Sequence, residues 1–151
     1  GSLIATSARF GAMLSSASLE ITETLTNFGE KIGIAFQLAD DVIDISSDSS
    51  QSGKTPGTDL REGVPTLVTL QILTSERAED AKLREMLSAP LNDAQALEVL
   101  QILRQHPALT KAKEQLHSLA HEAREILEPL PSNSAKEALN NLCQAIVERT
   151  T

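Results

Sequence analysis

Tryptophan and tyrosine are absent from this chain, and aromatic residues make up only 2% of it. β-Strands draw on aromatic and β-branched side chains, so this scarcity argues against a sheet. A single cysteine, Cys143, excludes an intrachain disulfide and fits a reducing, cytoplasmic setting. No apolar run is long enough to span a bilayer, and no basic segment followed by an apolar one opens the chain. Neither a transmembrane helix nor a secretory signal is therefore expected. Basic residues are in deficit: 13 Lys and Arg against 21 Asp and Glu leave a formal net charge of -8. Such a surface repels a phosphate backbone, so nucleic acid is not an expected partner. Any anionic ligand needs a cation or a local basic group to carry it.

What is present favours helix. The 151 residues are 40% hydrophobic and 23% charged, enough for a core in one domain or one large piece of a bigger one. Ala, Leu, Glu and Gln are abundant, all good helix formers. The chain opens at Gly1-Ser2 without Met, which reads as a cloning remnant or a cut end with sequence expected upstream. Pro56, Pro65, Pro90, Pro107, Pro129 and Pro131 punctuate segments of helical period. Leu3 to Ala17 predicts a packed helix. Ser18 caps a second that runs to about Ile45, with Ile21, Leu25, Phe28, Ile32, Phe36 and Ile43 in helical register. Gly29 and Gly33, four apart on it, predict close approach of another backbone. Ser46 to Gly63 reads as a loop. Helices are expected over Thr66 to Leu73, Glu76 to Leu87, Asp93 to Arg104 (Leu97, Leu100 and Leu103 buried) and Ala108 to Glu128. A final helix is capped by Ser134 and Glu137, with Leu139, Leu142 and Ile146 facing inward. The expected architecture is an all-α bundle.

The informative stretch is Gly33-Ile34-Ala35-Phe36-Gln37-Leu38-Ala39-Asp40-Asp41-Val42-Ile43-Asp44-Ile45. On a helix, Asp40 and Asp44 lie one turn apart with Asp41 beside them, and Gln37 precedes them on the same stripe. Carboxylates packed this closely on a largely apolar helix repel one another and resist desolvation. No Lys or Arg lies between Lys31 and Lys54 to pair with them. The stripe also sits near the helix C-terminus, where the macrodipole disfavours negative charge by about 0.3–1 kcal/mol per group. A hard divalent cation such as Mg²⁺, which takes oxygen ligands and bridges to phosphate, makes the arrangement tolerable. The alternative is a solvated acidic face before a loop. Beyond the acids comes a glycine-rich loop with a lysine, Gly53-Lys54-Thr55-Pro56-Gly57-Thr58-Asp59-Leu60-Arg61-Glu62-Gly63. Such a loop can lay a cation against the diphosphate that the metal binds.

Phe36-Gln37 before Asp40-Asp41 and Asp44, then Gly53-Lys54, Gly57 and Asp59-Leu60, resembles the second aspartate-rich motif and adjoining loop of trans-polyprenyl diphosphate synthases. The combination is specific, and the resemblance covers essentially the whole chain as the C-terminal half of such an enzyme. It implies one all-helical domain over 1–151, part of a larger isoprenoid synthase bundle, with 46–63 as a substrate-binding loop. It implies Mg²⁺ as cofactor, with Asp40 the surest ligand and Asp41 and Asp44 assisting. Gln37 and Lys54 correspond to residues that contact the allylic diphosphate. The family reaction ionises an allylic diphosphate, attacks the cation with the double bond of isopentenyl diphosphate, and loses a proton. Electrostatic stabilisation of the leaving group and a dry pocket do most of the work, with no covalent nucleophile. The family's first aspartate-rich motif, its arginines and the residues that mainly set product length are absent, so the isolated chain is expected to fold but not to elongate. Val64 stands where the family often has lysine. Exposed faces of a half-bundle predict a homo-oligomer, and long products imply peripheral membrane contact.

Two other readings compete: a non-catalytic subunit of a heteromeric prenyl synthase, and a terpene-cyclase-like or squalene-synthase-like enzyme. The intact Asp40, Asp41 and Asp44 set disfavours the first, and the Phe36-Gln37 approach and Gly53-Lys54 loop disfavour the second. Gly53-Lys54-Thr55 is no Walker A, because Asp48 stands where its first glycine belongs. His117, His121 and Glu125 share a helix face and read as a partly exposed row rather than a zinc site. Cys143 reads as a small core or groove residue.

Overall fold

The computed structural model describes residues 1–47 and 56–150. Among them the regular elements are helices and no strand occurs, so the fold is all-α. Helix α1 spans Ser2–Leu14. It ends where the Ser15 hydroxyl donates to the Ala12 carbonyl at 2.9 Å and Ser16 turns into the left-handed region at φ 58. Helix α2 spans Leu19–Ser46. Ser18 caps it as expected, its Oγ accepting from the Ile21 amide at 3.3 Å. Nothing in those 28 residues interrupts a helix by ring or missing donor, since none is proline.

The described chain forms two compact units, Gly1–Ala39 with Gln115–Thr151, and Asp40–Glu114. The first unit shows why α2 carries two glycines. A Cβ on Gly29 would lie 2.6 Å from the Ala5 Cα and 2.9 Å from its nitrogen, and one on Gly33 would run into the backbone of Gly1. Helix α1 thus crosses at near-backbone distance, a contact only glycine permits. Helix α7, Pro107–Leu127, starts on a proline, which suits a first helical position because its missing N–H has no partner there. In this unit it contributes Leu116, Ala120, Ala123 and Leu127 to the core, beside Phe28 and Ile32 of α2. Each large apolar side chain so buried stabilises by roughly 1.5–3 kcal/mol. Helix α8, Ser134–Glu148, buries Cys143, Ile146 and Val147. Its cap is Asn133, whose side chain accepts from the Lys136 amide at 2.9 Å, and not Ser134. Asn is as good a cap as Ser, and here it takes the extended conformation that a cap needs. Leu142, expected to face inward, is 42% exposed, because the buried stripe runs along Cys143, Ile146 and Val147.

The second unit is built from short helices. Helix α3, Thr58–Glu62, lies inside the stretch that reads from sequence as loop. Gly57 at φ 73 and Gly63 at φ 67 bracket it in left-handed turns, a conformation that side chains rarely adopt. Helix α4, Leu67–Leu73, is entered through a capping box in which the Thr66 and Thr69 side chains answer each other's amides. A 3₁₀ turn, Ala78–Asp80, leads into α5, Ala81–Leu87. Helix α6, Asp93–Gln105, has its own capping box between Asn92 and Gln95. It buries Ala96, Val99, Leu100 and Leu103, while Leu97 is 55% exposed against expectation. Steps of three, four and seven from Ala96 place the inner stripe one position away from Leu97. Helices α4 and α5, α3 and α6, and α5 and α6 pack against one another.

Candidate functional site

The last turns of α2 that belong to the second unit carry Asp40, Asp41 and Asp44. Val42 and Ile45 are almost fully buried and turn the helix so that the three acids fall on its half-buried flanks. A helix this close to its end leaves carbonyls without intrahelical donors. The structure supplies them. The Ser47 amide closes on the Ile43 carbonyl at 2.9 Å, and the Gly57 amide donates to the Asp44 carbonyl at 2.9 Å. Arg104 donates from Nε to the Ile45 carbonyl at 3.0 Å and from a terminal nitrogen to the Ser47 carbonyl at 2.5 Å. A planar guanidinium fork can grip two carbonyls in this way, and a cation at a helix C-terminus is favoured by the macrodipole. The positive charge missing from the local sequence therefore comes from α6.

The carboxylates differ in their surroundings. The Asp44 side chain accepts from the Thr58 amide through one oxygen at 3.1 Å and from the Asp59 amide through the other at 3.2 Å. Burial pushes the Asp41 carboxyl above its ordinary value of 3.8; a bond from the Leu67 backbone opposes this, and the negative charges of Asp59, Asp40 and Asp44 add to the rise. Asp59 thus joins the acidic group. Asp40 is half-buried. Among the described residues no three His, Cys, Asp or Glu side chains converge tightly enough to hold a metal by themselves. One or two carboxylates of this kind fit an open divalent-cation site completed by other oxygen ligands, not a closed protein cage.

The other residues singled out from sequence are placed variously. Gln37 is exposed and belongs to the first unit. Gly53 and Lys54 lie outside the described residues. Val64 is 45% exposed, its amide donating to the Asp59 carbonyl at 2.8 Å. His117 and His121 are exposed, and His121 Nε2 stands 3.6 Å from a Glu125 oxygen on the solvent side. Cys143 is fully buried, and that burial pushes its thiol up, with the Arg124 charge working against the shift. Arg104 and Leu67 escape a reading of the sequence, because Arg104 reaches the carbonyls at the end of α2 and Leu67 reaches Asp41 from distant points of the chain, and nothing local to either announces it. Asp59 is visible in the loop pattern, but its nearness to Asp41 is not. Among the described residues no helix is long and apolar enough to cross a membrane.

Comparison with known proteins gives a consistent result. Residues 1–105 match the model of the polyprenyl synthetase family. The chain is 44% identical over 150 residues to nonaprenyl diphosphate synthase of Mycobacterium tuberculosis, covering 99% of this chain and 45% of that protein. Its fold superposes with a TM-score of 0.88 and 39% identity on geranylgeranyl pyrophosphate synthase from Corynebacterium glutamicum complexed with calcium and isoprenyl diphosphate, over 99% of this chain and 47% of that one. Polyprenyl synthase from Caulobacter crescentus, also complexed with calcium and isoprenyl diphosphate, gives a TM-score of 0.87 at 28% identity, over 99% of this chain and 46% of that one. The chain thus spans about half the length of the relatives it matches.

Proposed function

The chain belongs to the polyprenyl synthetase family, and from that membership we propose that it is the second-motif half of a prenyltransferase that condenses isopentenyl diphosphate with an allylic diphosphate. The observation that carries this reading is the acid end of α2, where carboxylates one helical turn apart are framed by the backbone of Gly57 to Leu67 and by Arg104. An acidic face left to solvent needs no such frame. Asp40, with Asp41 beside it, would hold the divalent ion, which we assign as Mg²⁺. Held there, such an ion would supply positive charge to offset that of a departing diphosphate.

The chain's own residues do the rest. Asp40 and Asp41 project from adjacent positions of one helical turn, so their carboxylates start from a common rigid backbone. Burial, and then the negative charges of Asp59, Asp40 and Asp44, push the Asp41 carboxyl up, and a cation placed beside it would favour its charged form. Gln37 and Lys54, by their place in the motif, would contact the allylic diphosphate, Lys54 as a compact cation. By the family resemblance, the isopentenyl diphosphate site and the other metal positions would lie in the part of the relatives that this chain does not span, so the 151 residues alone are expected to be inactive. A cytoplasmic, homo-oligomeric enzyme is the setting we infer.

The test is an elongation assay of the full-length protein with allylic diphosphate, isopentenyl diphosphate and Mg²⁺. Asp40→Ala should lower turnover by about 10²-fold or more while the helical circular dichroism is kept. Unchanged turnover at saturating Mg²⁺ would remove Asp40 from the site.

A further inference from the structure

Asp44 is the third acid of the motif, and its contacts set it apart from a metal ligand. Three consecutive amides close on this one residue: Gly57 on its carbonyl at 2.9 Å, Thr58 and Asp59 on its two carboxylate oxygens at 3.1 and 3.2 Å. Carboxylate-to-amide bonds are charge-assisted and about twice as strong as neutral ones. An oxygen already accepting an amide presents less electron density to a cation. The same turn is fastened at its other points. Arg61 donates to the Pro56 carbonyl at 2.6 Å, and Gly57 packs at φ 73, where its Cβ would face Leu100. The Val64 amide closes on the Asp59 carbonyl at 2.8 Å. Arg104 holds the two carbonyls on either side of Ser46.

We propose that Asp44 is a positioning residue: it clamps the turn from Gly57 to Glu62 onto the acid end of α2, and so fixes where Asp59 stands relative to Asp41. A helix of five residues has no stability of its own. Without the clamp, α3 has only Gly57 as its cap, with no side-chain bond from it. The clamp explains why an acid whose oxygens point at backbone occupies a metal motif. It also predicts how the acids divide: Asp40 governs the metal, and Asp44 governs the turn.

This inference rests on the prenyltransferase reading only for its kinetic arm. In the full-length protein, Asp44→Ala should speed hydrogen exchange over 57–62 by about tenfold or more. It should raise the KM for allylic diphosphate by about tenfold, with kcat changed far less and the Mg²⁺ concentration for half-maximal activity nearly unmoved. Asp44→Asn keeps one acceptor and cannot serve as an anionic metal ligand, so it should recover part of the exchange protection and of the KM. Asp40→Ala should do the reverse, shifting Mg²⁺ dependence and leaving 57–62 protected. If Asp44→Ala leaves exchange over 57–62 unchanged, or Asp44→Asn shifts Mg²⁺ dependence as far as Asp40→Ala does, Asp44 is a ligand and the clamp is refuted. Exchange that responds to Asp44 in a protein showing no elongation would overturn the enzymatic reading and leave the clamp standing.

Discussion

The two compact units use different means to hold helices of very different length. The unit of Gly1–Ala39 with Gln115–Thr151 relies on long elements and close packing: glycine on α2 lets α1 approach to backbone distance, and Ala120 and Ala123 keep α7 slim. Its polar contacts lie mostly outside, such as the Lys31–Glu122 pair at 2.7 Å, which is 31% and 44% exposed. The unit of Asp40–Glu114 strings together helices of five to thirteen residues and buries polar groups to do it. Thr66 and Thr69 answer each other, and Asp44 and Arg104 tie down the end of α2. Asp80, with a side chain only 4% exposed, accepts from Ser75 at 2.5 Å and meets His106 Nε2 at 3.0 Å. A short helix has the same number of orphan end groups as a long one but far fewer internal bonds. Polar side chains must then satisfy the ends wherever they are buried. The candidate site accordingly sits in the unit whose order depends on specific polar bonds, where backbone amides can be aimed at carboxylates.

This contrast can be tested by substitution, with the largest change expected in the first unit. Gly29→Val should lower unfolding free energy by about 1–3 kcal/mol, because its new atoms meet the Ala5 backbone, which cannot swing aside. The gain in helix propensity from removing glycine, at most about 1 kcal/mol, does not offset that. Gly11→Ala on α1 meets nothing within 4 Å and should stabilise instead, by up to about 1 kcal/mol. Paired urea titrations decide the matter: equal effects at both positions would mean that close packing is not what Gly29 provides.

A smaller effect, with a pH signature, is expected in the second unit. The Ser75 hydroxyl and then His106 hold the Asp80 carboxyl below its ordinary 3.8. A carboxylate lowered in the folded state contributes stability that is fully present above 3.8 and is lost as pH falls through the folded value. Asp80→Ala should therefore unfold at a lower temperature than the parent near neutrality, and the gap should close as pH drops below 3.8. A gap that stays constant down to strong acid would show that Asp80 acts through packing alone. Smallest of all should be Lys31→Ala, since a pair this open to solvent, 31% and 44% exposed, gains little from its Coulomb attraction. Its melting curve should overlay that of the parent, and a clear loss would mean that the first unit depends on its surface charges after all.

Much of the fold is legible in the sequence because helical period and punctuation are local. The α2 boundaries, its Ser18 cap and the α6 and α7 spans depend on residues within a turn or two of each boundary. Gly29 and Gly33 announce a backbone neighbour without saying which. The departures have separate causes. Leu97 and Leu142 fit an apolar stripe as well as their neighbours do, and which side of a stripe is covered depends on where other helices lie. Helix α3 reads as loop because its five residues have no period of their own and two glycines flank it. Asn133 displaces Ser134 as a cap by one residue, a choice between equals that the extended backbone at Asn133 settles rather than propensity.

For the site, the sequence by itself determined the composition: Asp40, Asp41 and Asp44 in one helical turn, on a helix-forming chain, with motifs specific enough to name the family. That is so because the spacing of side chains on a helix is fixed by 3.6 residues per turn, whatever surrounds it. Only the tertiary structure decided what each acid meets. Asp44 faces the amides of Thr58 and Asp59, Asp41 takes a bond from Leu67, and Arg104 arrives 59 residues after Ile45 to cover the helix end. Hydrogen bonds and burial act through space over a few ångströms, and sequence separation carries no information about that distance until the chain has packed.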